Sequence, residues 1–183
     1  MYLFAKKVCR KGISFFKCVW KRKGCSMEEK TNVMRILDKK KVAYQCHTYD
    51  SEEAVAGMEV AKLLGQDPKA VFKTLVTVGK SMEHYVFMVP VDKELDLKKA
   101  AKHVGEKKIE MIKSRELLPL TGYVHGGCSP VGMKKSFQTT IDESALAQEK
   151  IFFSGGKIGC QIETTLEGLQ KIVRVKTGDI CVD

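Results

Sequence analysis

VFKTLVTVGKSMEHYVFMVPV, residues 71–91, is the stretch whose reading decides the fold. Val71 to Val78 and His84 to Val91 are rich in β-branched and aromatic residues, and Gly79-Lys80-Ser81 between them is a turn signal. That pattern predicts a β-hairpin. Alternation along the first run sets Lys73, Leu75 and Thr77 on one face, with Phe72 and Val76 on the other. A lysine inside an apolar strand either extends its amine to solvent or meets an anion.

Outward from the hairpin, the local signals alternate irregularly between helix and strand. Upstream, Glu28 to Lys40 reads as a helix with Val33, Met34, Ile36 and Leu37 as its apolar stripe. Ala43 to Tyr49 reads as a strand, and Ala54 to Leu64 as a helix stopped by Gly65. Asp67-Pro68 predicts a single helical turn. Downstream, Asp96 caps a helix running to Val104 and closed by Gly105. Ile109 to Ile112 is a short strand, and Ser114 starts a short helix expected to end near Pro119. Phe137 to Ile141 is a strand. Ile151 to Ser154 and Ile158 to Glu163 form a second hairpin about Gly155-Gly156. Thr164-x-x-Glu167 is a capping box that predicts a helix to Val173. Recurrent hairpins without regular βαβ alternation argue for one α+β domain on a mixed sheet, surrounded by helices.

A second stretch, GYVHGGCSPVGMKK at residues 122–135, carries the reactive-looking side chains. His125 and Cys128 lie three apart, but no third group is specified to orient a Cys–His dyad. GGCSP lacks the spacing of a nucleophile elbow. The phosphate-loop pattern fails as well: Gly127 and Gly132 have the right gap, yet Met133 follows where lysine is required. Cys128 reads best as a buried small side chain. The glycines serve either a tight turn or a backbone approach to a ligand with N–H groups free to donate.

Composition narrows the function classes. The chain has 183 residues, 44% hydrophobic and 30% charged, as expected of a globular domain. No apolar run nears the roughly 20 residues of a membrane span. The net charge is +10, but residues 1–26 hold eight basic residues and no acidic one. The rest carries 24 basic against 22 acidic residues, so its general attraction for nucleic acid is weak. The seven cysteines, at 9, 18, 25, 46, 128, 160 and 181, form no CxxC pair. They suit a reducing compartment, and neither His125-x-x-Cys128 nor Cys46-His47 supplies a zinc module. No metal and no cofactor are expected.

Residues 1–26 are basic and aromatic without clear periodicity, and MEEKTNVMRILDKK opens at Met27 like the start of a domain. The expected organisation is an N-terminal extension over 1–26, outside the fold, and a domain over 27–183.

VFKTL (71–75), PVDKELDLKKAAK (90–102), TGYVHGGCSPVGMKK (121–135), TTID (139–142) and FSGGKIGCQIE (153–163), in that order, resemble the YbaK/EbsC family. The resemblance runs from about Thr31 to about Ile180 and omits residues 1–26. It implies the YbaK-like α+β fold and an aminoacyl-tRNA deacylase, notably of Cys-tRNA(Pro), related to the editing domain of bacterial prolyl-tRNA synthetases. The implied task is hydrolysis of the ester that joins a wrong amino acid, cysteine or alanine, to the tRNA 3′ end. Binding separates such small side chains poorly, so a second site must edit. The strand lysine of the family matches Lys73, with Thr74 beside it. The glycine loop matches Gly126, Gly127, Ser129 and Pro130, whose backbone would polarise the aminoacyl carbonyl. Tyr49, Ser154 and Gly155 match further substrate-binding positions. The resemblance also implies that no protein nucleophile is needed, since the substrate's own thiol, a water or the ribose hydroxyl can attack. It places the protein in the cytoplasm, with the tRNA 3′ end as partner and prolyl-tRNA synthetase as a further candidate.

Two departures stand out: Asp50 to Gly57 lacks an aromatic that some members place near Ala56, and Gln161 replaces an acidic residue of some members. The alternative function is a non-catalytic module that binds a tRNA or nucleotide end alongside prolyl-tRNA synthetase. If residues 1–26 are over-called upstream sequence and the natural start is Met27, the intact mass of protein made from its native locus will correspond to a start at Met27; a species beginning at Met1 contradicts this.

Overall fold

A computed structural model describes residues 30–50 and 55–182. The expected extension over 1–26 and the helix start at Glu28 lie outside the described residues. Five α-helices and eight strands are present among the described residues. Helix α1 (Asn32–Lys39) starts at Thr31, whose hydroxyl accepts from Met34 N–H at 3.3 Å. It buries Val33, Met34 and Leu37. Strand β1 (Gln45–Thr48), helix α2 (Gly57–Leu63) and a 3-10 turn (Pro68–Ala70) capped by Asp67 lead into the hairpin.

The hairpin forms as its sequence predicts. Strands β2 (Phe72–Gly79) and β3 (His84–Pro90) pair antiparallel, Lys73 opposite Val89 and Leu75 opposite Phe87. Helix α3 (Leu97–Val104) follows; Asp96 accepts from Lys98 and Lys99 N–H, and Gly105 closes it at φ 80°. Strand β4 (Ile109–Met111) adds to β2, and helix α4 (Ser114–Thr121) leads to the glycine loop. Strand β5 (Gln138–Asp142) lies parallel to β3, a 3-10 helix spans Glu143–Ala147, and β6 (Ile151–Ser154) pairs antiparallel with β7 (Cys160–Thr164). Helix α5 (Leu166–Gln170) and β8 (Val175–Gly178) complete the fold.

The strands form two sheets, β4-β2-β3-β5-β8 and β1-β7-β6. One hydrophobic core fills the space between them. It joins Val33 and Leu37 of α1, Phe72 and Val76 of β2, Val86 and Met88 of β3, and Phe153 and Ile162 of β6 and β7. The other side of the hairpin, with Tyr85, Phe87 and Val89, packs on Ala100 and Ala101 of α3. The expected split of Phe72 and Val76 from Leu75 follows these two clusters.

Two local expectations need correction. Helix α4 does not stop at Pro119 but continues to Thr121. The Thr121 hydroxyl donates to Leu117 O at 2.7 Å, and Gly122, at φ 83°, donates its N–H to Leu118 O. These bonds satisfy the last carbonyls of a helix that has lost one amide to proline. The helix after β7 starts one residue later than the capping-box pattern implies. Thr164 stays in the ladder opposite Ile151 and gives its hydroxyl to Ala43 O at 2.8 Å. Thr165 is the cap instead, accepting from Gly168 N–H at 3.0 Å, and the helix ends at Gln170 rather than Val173.

Phe87 is fully buried where β3 meets α3. Phe87→Ala should cost about 3–5 kcal/mol, seen as a lower urea midpoint at unchanged slope in equilibrium unfolding.

Candidate functional site

An isolated bridge joins the two sheets: Val71 pairs parallel with Phe152. Bridge partners lie on the same face, and side chains alternate with period two along each strand. Two residues on, Lys73 of β2 and Ser154 of β6 therefore share that face. The ladders extend the relation, because Ser154 lies opposite Gln161 of β7 and Gln161 lies opposite His47 of β1. Ser154, Gln161 and His47 thus form one polar row across the small sheet, with Lys73 on the matching side of β2 where the two sheets meet. The opposite face of the same strands carries Cys46, Phe153, Cys160 and Ile162, which pack into the core.

The turn between β6 and β7 borders this row and gathers other residues singled out in the sequence. Tyr49 gives its N–H to Gly159 O at 3.0 Å. The Ser154 hydroxyl accepts from Gly156 N–H at 3.3 Å. Gly155 has no room for a side chain, since a Cβ there would lie 2.3 Å from Cys160 Sγ. Gly127 packs its Cα side on the turn, where a Cβ would come within 3.3 Å of the backbone of Lys157 and Ile158. Tyr49, Ser154, Gly155 and Gly127 therefore meet around one turn.

Within the glycine loop, backbone geometry decides what can be donated. Gly126 is exposed at φ 80°, and Gly127 N–H is already bonded to Val124 O at 3.1 Å. No backbone bond of this kind holds the N–H of Gly126, Cys128 or Ser129 among the described residues. Ser129 is fully buried and its hydroxyl accepts from Val131 N–H at 3.4 Å, while Pro130 is buried beside it. Tyr123, its hydroxyl donating to Val131 O at 2.5 Å, fixes the far side of the loop. Burial pushes the Cys128 thiol up to about 12, so it is protonated at neutral pH.

Lys73 is about one quarter exposed and pairs with Glu94 at 2.8 Å. Glu94 is 79% exposed, and an ion pair of this kind contributes little in water. The amine can leave Glu94 for a ligand anion at small cost. Thr74 is not brought to the row. It lies on the core side with Phe72 and Val76, and its hydroxyl is buried without a hydrogen-bond partner among the described residues. Gln161 is 5% exposed, and its Oε1 also has no partner among the described residues.

The sequence reading missed Glu163 and gave His47 no role beyond excluding zinc. Glu163, 7% exposed, sits two residues past Gln161 on the same face. Its Oε2 is 2.7 Å from His47 Nε2, and Lys150 Nζ donates to Oε1. Burial alone would raise its pKa, but the bonds from Lys150 and His47 outweigh it and hold the carboxyl below its usual range. The available signal was alternation in AYQCHTY, which puts His47 with Tyr49. Among the described residues no group of three or more His, Cys, Asp or Glu side chains could hold a metal ion, and no helix is long and apolar enough to cross a membrane.

Comparison with known proteins decides the family. The model of the aminoacyl-tRNA editing domain matches residues 52–172, which include Lys73, the glycine loop and the β6–β7 turn. The chain belongs to the aminoacyl-tRNA editing domain family. It is 42% identical over 154 residues to a protein of Enterococcus faecalis (strain ATCC 700802 / V583) named "Putative Cys-tRNA(Pro)/Cys-tRNA(Cys) deacylase EbsC". That match covers 84% of this chain and 94% of the relative. The α+β fold is that of a crystal structure titled "a putative trans-editing enzyme for prolyl tRNA synthetase", at TM-score 0.72 and 24% identity over 84% of this chain and 99% of that one. A hypothetical protein of known crystal structure matches at TM-score 0.75 and 21% identity, over 82% of this chain and 99% of its own.

The overlap at Gly155 gives a test of how tightly the turn is built. Gly155→Ala should destabilise by about 1–3 kcal/mol, as overpacking does. Cys160→Ala removes the Sγ atom in its way, so the double variant should lose less in urea unfolding than the sum of the two single variants.

Proposed function

We propose that the protein is a trans-editing deacylase that removes a mischarged amino acid, cysteine first and alanine second, from tRNA(Pro). The observation that carries this reading is the row from Lys73 through Ser154 to Gln161, which borders the β6–β7 turn against which the glycine loop packs. The name of the E. faecalis relative and the family membership support the substrate class.

In this reading Lys73 exchanges Glu94 for a phosphate or ribose oxygen of the terminal adenosine. An Arg or Lys contact to an anion of that kind is worth most when water is excluded. The aminoacyl carbonyl lies against the glycine loop. Since Gly127 N–H is held by Val124 O and Ser129 is fully buried, the donors to the developing oxyanion are the N–H groups of Gly126 and Cys128. Gly127 contributes by letting the loop close on the β6–β7 turn, and Gly126 by adopting the positive φ that the loop needs. Tyr49 and Ser154 line the turn beside the aminoacyl group. The attacking group belongs to the substrate or solvent: a cysteinyl thiol closing on its own ester to a thiolactone, or water for alanine. Position and electrostatics then supply the rate, without a nucleophile from the protein. Such an activity belongs where tRNA is charged, the cytoplasm, and prolyl-tRNA synthetase is the partner whose errors it would remove.

Purified protein should hydrolyse Cys-tRNA(Pro) faster than Ala-tRNA(Pro) and leave Pro-tRNA(Pro) intact. Lys73→Ala should lower kcat/KM on the order of 100-fold, the scale for losing a desolvated charged contact. Cys128→Ala should leave the rate within about twofold. If no aminoacyl-tRNA is hydrolysed faster than without protein, the deacylase reading fails. If Cys128→Ala abolishes hydrolysis, the mechanism is that of a cysteine nucleophile instead.

A further inference from the structure

The polar face of the small sheet holds a hydrogen-bonded trio that the reaction as described leaves unused. Glu163 is buried, His47 Nε2 is 2.7 Å from its Oε2, and Lys150 occupies its Oε1. An ionised carboxylate only accepts, so His47 Nε2 carries the proton of their shared bond. In a neutral imidazole the other nitrogen, Nδ1, then holds the lone pair. The ring also makes an edge contact with Phe152, at 5.8 Å between centroids. Its side chain remains 31% exposed, so the ring is held but not sealed.

The position of this imidazole is as informative as its tautomer. His47 lies directly opposite Gln161, which lies directly opposite Ser154. Adjacent strands are about 4.8 Å apart, so the backbone of His47 is about 10 Å from that of Ser154 and two residues from Tyr49. Gln161 between them keeps a dry, unpartnered Oε1. A buried acceptor without a donor suits a site that receives one from its ligand, such as the ammonium group of an aminoacyl ester.

We propose that His47, oriented by Glu163, is the base that takes the proton from the attacking group during deacylation. The inference rests on the deacylase reading. With cysteinyl ester, the thiol proton passes to Nδ1, sulfur bonds to the carbonyl carbon, and the C–O bond to the ribose breaks. The imidazolium returns the proton to the departing ribose oxygen, so the histidine ends as it began. With water as attacker the same transfers give the free amino acid. Glu163 and Lys150 are positioning residues: Glu163 selects the tautomer, and Lys150 keeps Glu163 ionised and in place.

The test uses the full chain and Cys-tRNA(Pro), with Ala-tRNA(Pro) in parallel. His47→Ala should lower kcat on the order of 100-fold, the lower range for loss of a general base, with KM changed less than about threefold. Free imidazole should restore part of the rate of His47→Ala and none of the rate of Lys73→Ala. Glu163→Gln should lower kcat by a smaller factor, about tenfold, without response to imidazole. His47→Gln, which keeps bulk without a basic nitrogen, serves if the alanine variant does not fold. Wild-type kcat in either His47 variant overturns the proposal. So does a loss in a normally folded His47→Ala that imidazole does not restore. An inactive wild-type protein overturns this inference together with the deacylase reading, whereas an active one with an indifferent His47 overturns this inference alone.

Discussion

The bridge between Val71 and Phe152 is the contact on which the site depends. Without it, Lys73 belongs to one sheet and Ser154, Gln161 and His47 to another. Because the bridge is parallel, the two strands leave it in the same direction. Because strand side chains alternate, it also fixes which residues share a side. A slip by one residue would turn Lys73 into the core and bring Thr74 out. The bridge is short, and the apolar cluster of Ala61, Val71 and Val91 with Phe152 packs around it. That packing, rather than the few hydrogen bonds of the bridge, holds the two sheets in place.

The same parity separates two chemistries on one small sheet. On the core side, Cys46, Phe153, Cys160 and Ile162 pack among apolar neighbours, and the sulfurs of Cys46 and Cys160 lie 3.7 Å apart. On the other side, His47, Gln161, Glu163 and Ser154 are polar, and two of them are nearly dry. A buried carboxylate is tolerable only with its oxygens bonded, and Lys150 and His47 provide those bonds. Gln161 is the exception, its Oε1 having no partner among the described residues, and it lies within the row that the ligand would cover. The glycines complete the arrangement by letting backbone touch backbone. Gly127 meets the β6–β7 turn at a distance that would make a methyl group tight, and Gly155 meets Cys160 at one that leaves no space for it.

Much of the fold was legible because its signals are local. The hairpin over 71–91 follows from β-branched runs about a Gly-Lys-Ser turn, and α3 from Asp96 and Gly105 at its two ends. Where the local signal failed, other hydrogen bonds had intervened, within the same turn in one case and from a distant strand in the other. Pro119 did not end α4, because Thr121 and Gly122 supply the missing terminal bonds. Thr164 did not cap α5, because the ladder to Ile151 and the carbonyl of Ala43 hold it in β7. The site shows the same division. Lys73 was visible as a charge in an apolar strand, and the glycine loop was visible from its composition. Glu163 was not, since its partner His47 is 116 positions away and nothing near either residue announces the pair.

By itself the sequence determined the elements, the faces of each strand and, through its ordered motifs, the family. Those depend on turn chemistry, capping and periodicity, which act over a few residues. Only the tertiary structure decided which strands are neighbours, and hence that Lys73, Ser154, Gln161 and His47 share a surface. It alone decided that Gly127 N–H is spent on Val124 O. The physical reason is that strand pairing is a long-range choice made by burial of the whole core, and no short stretch of chain contains it.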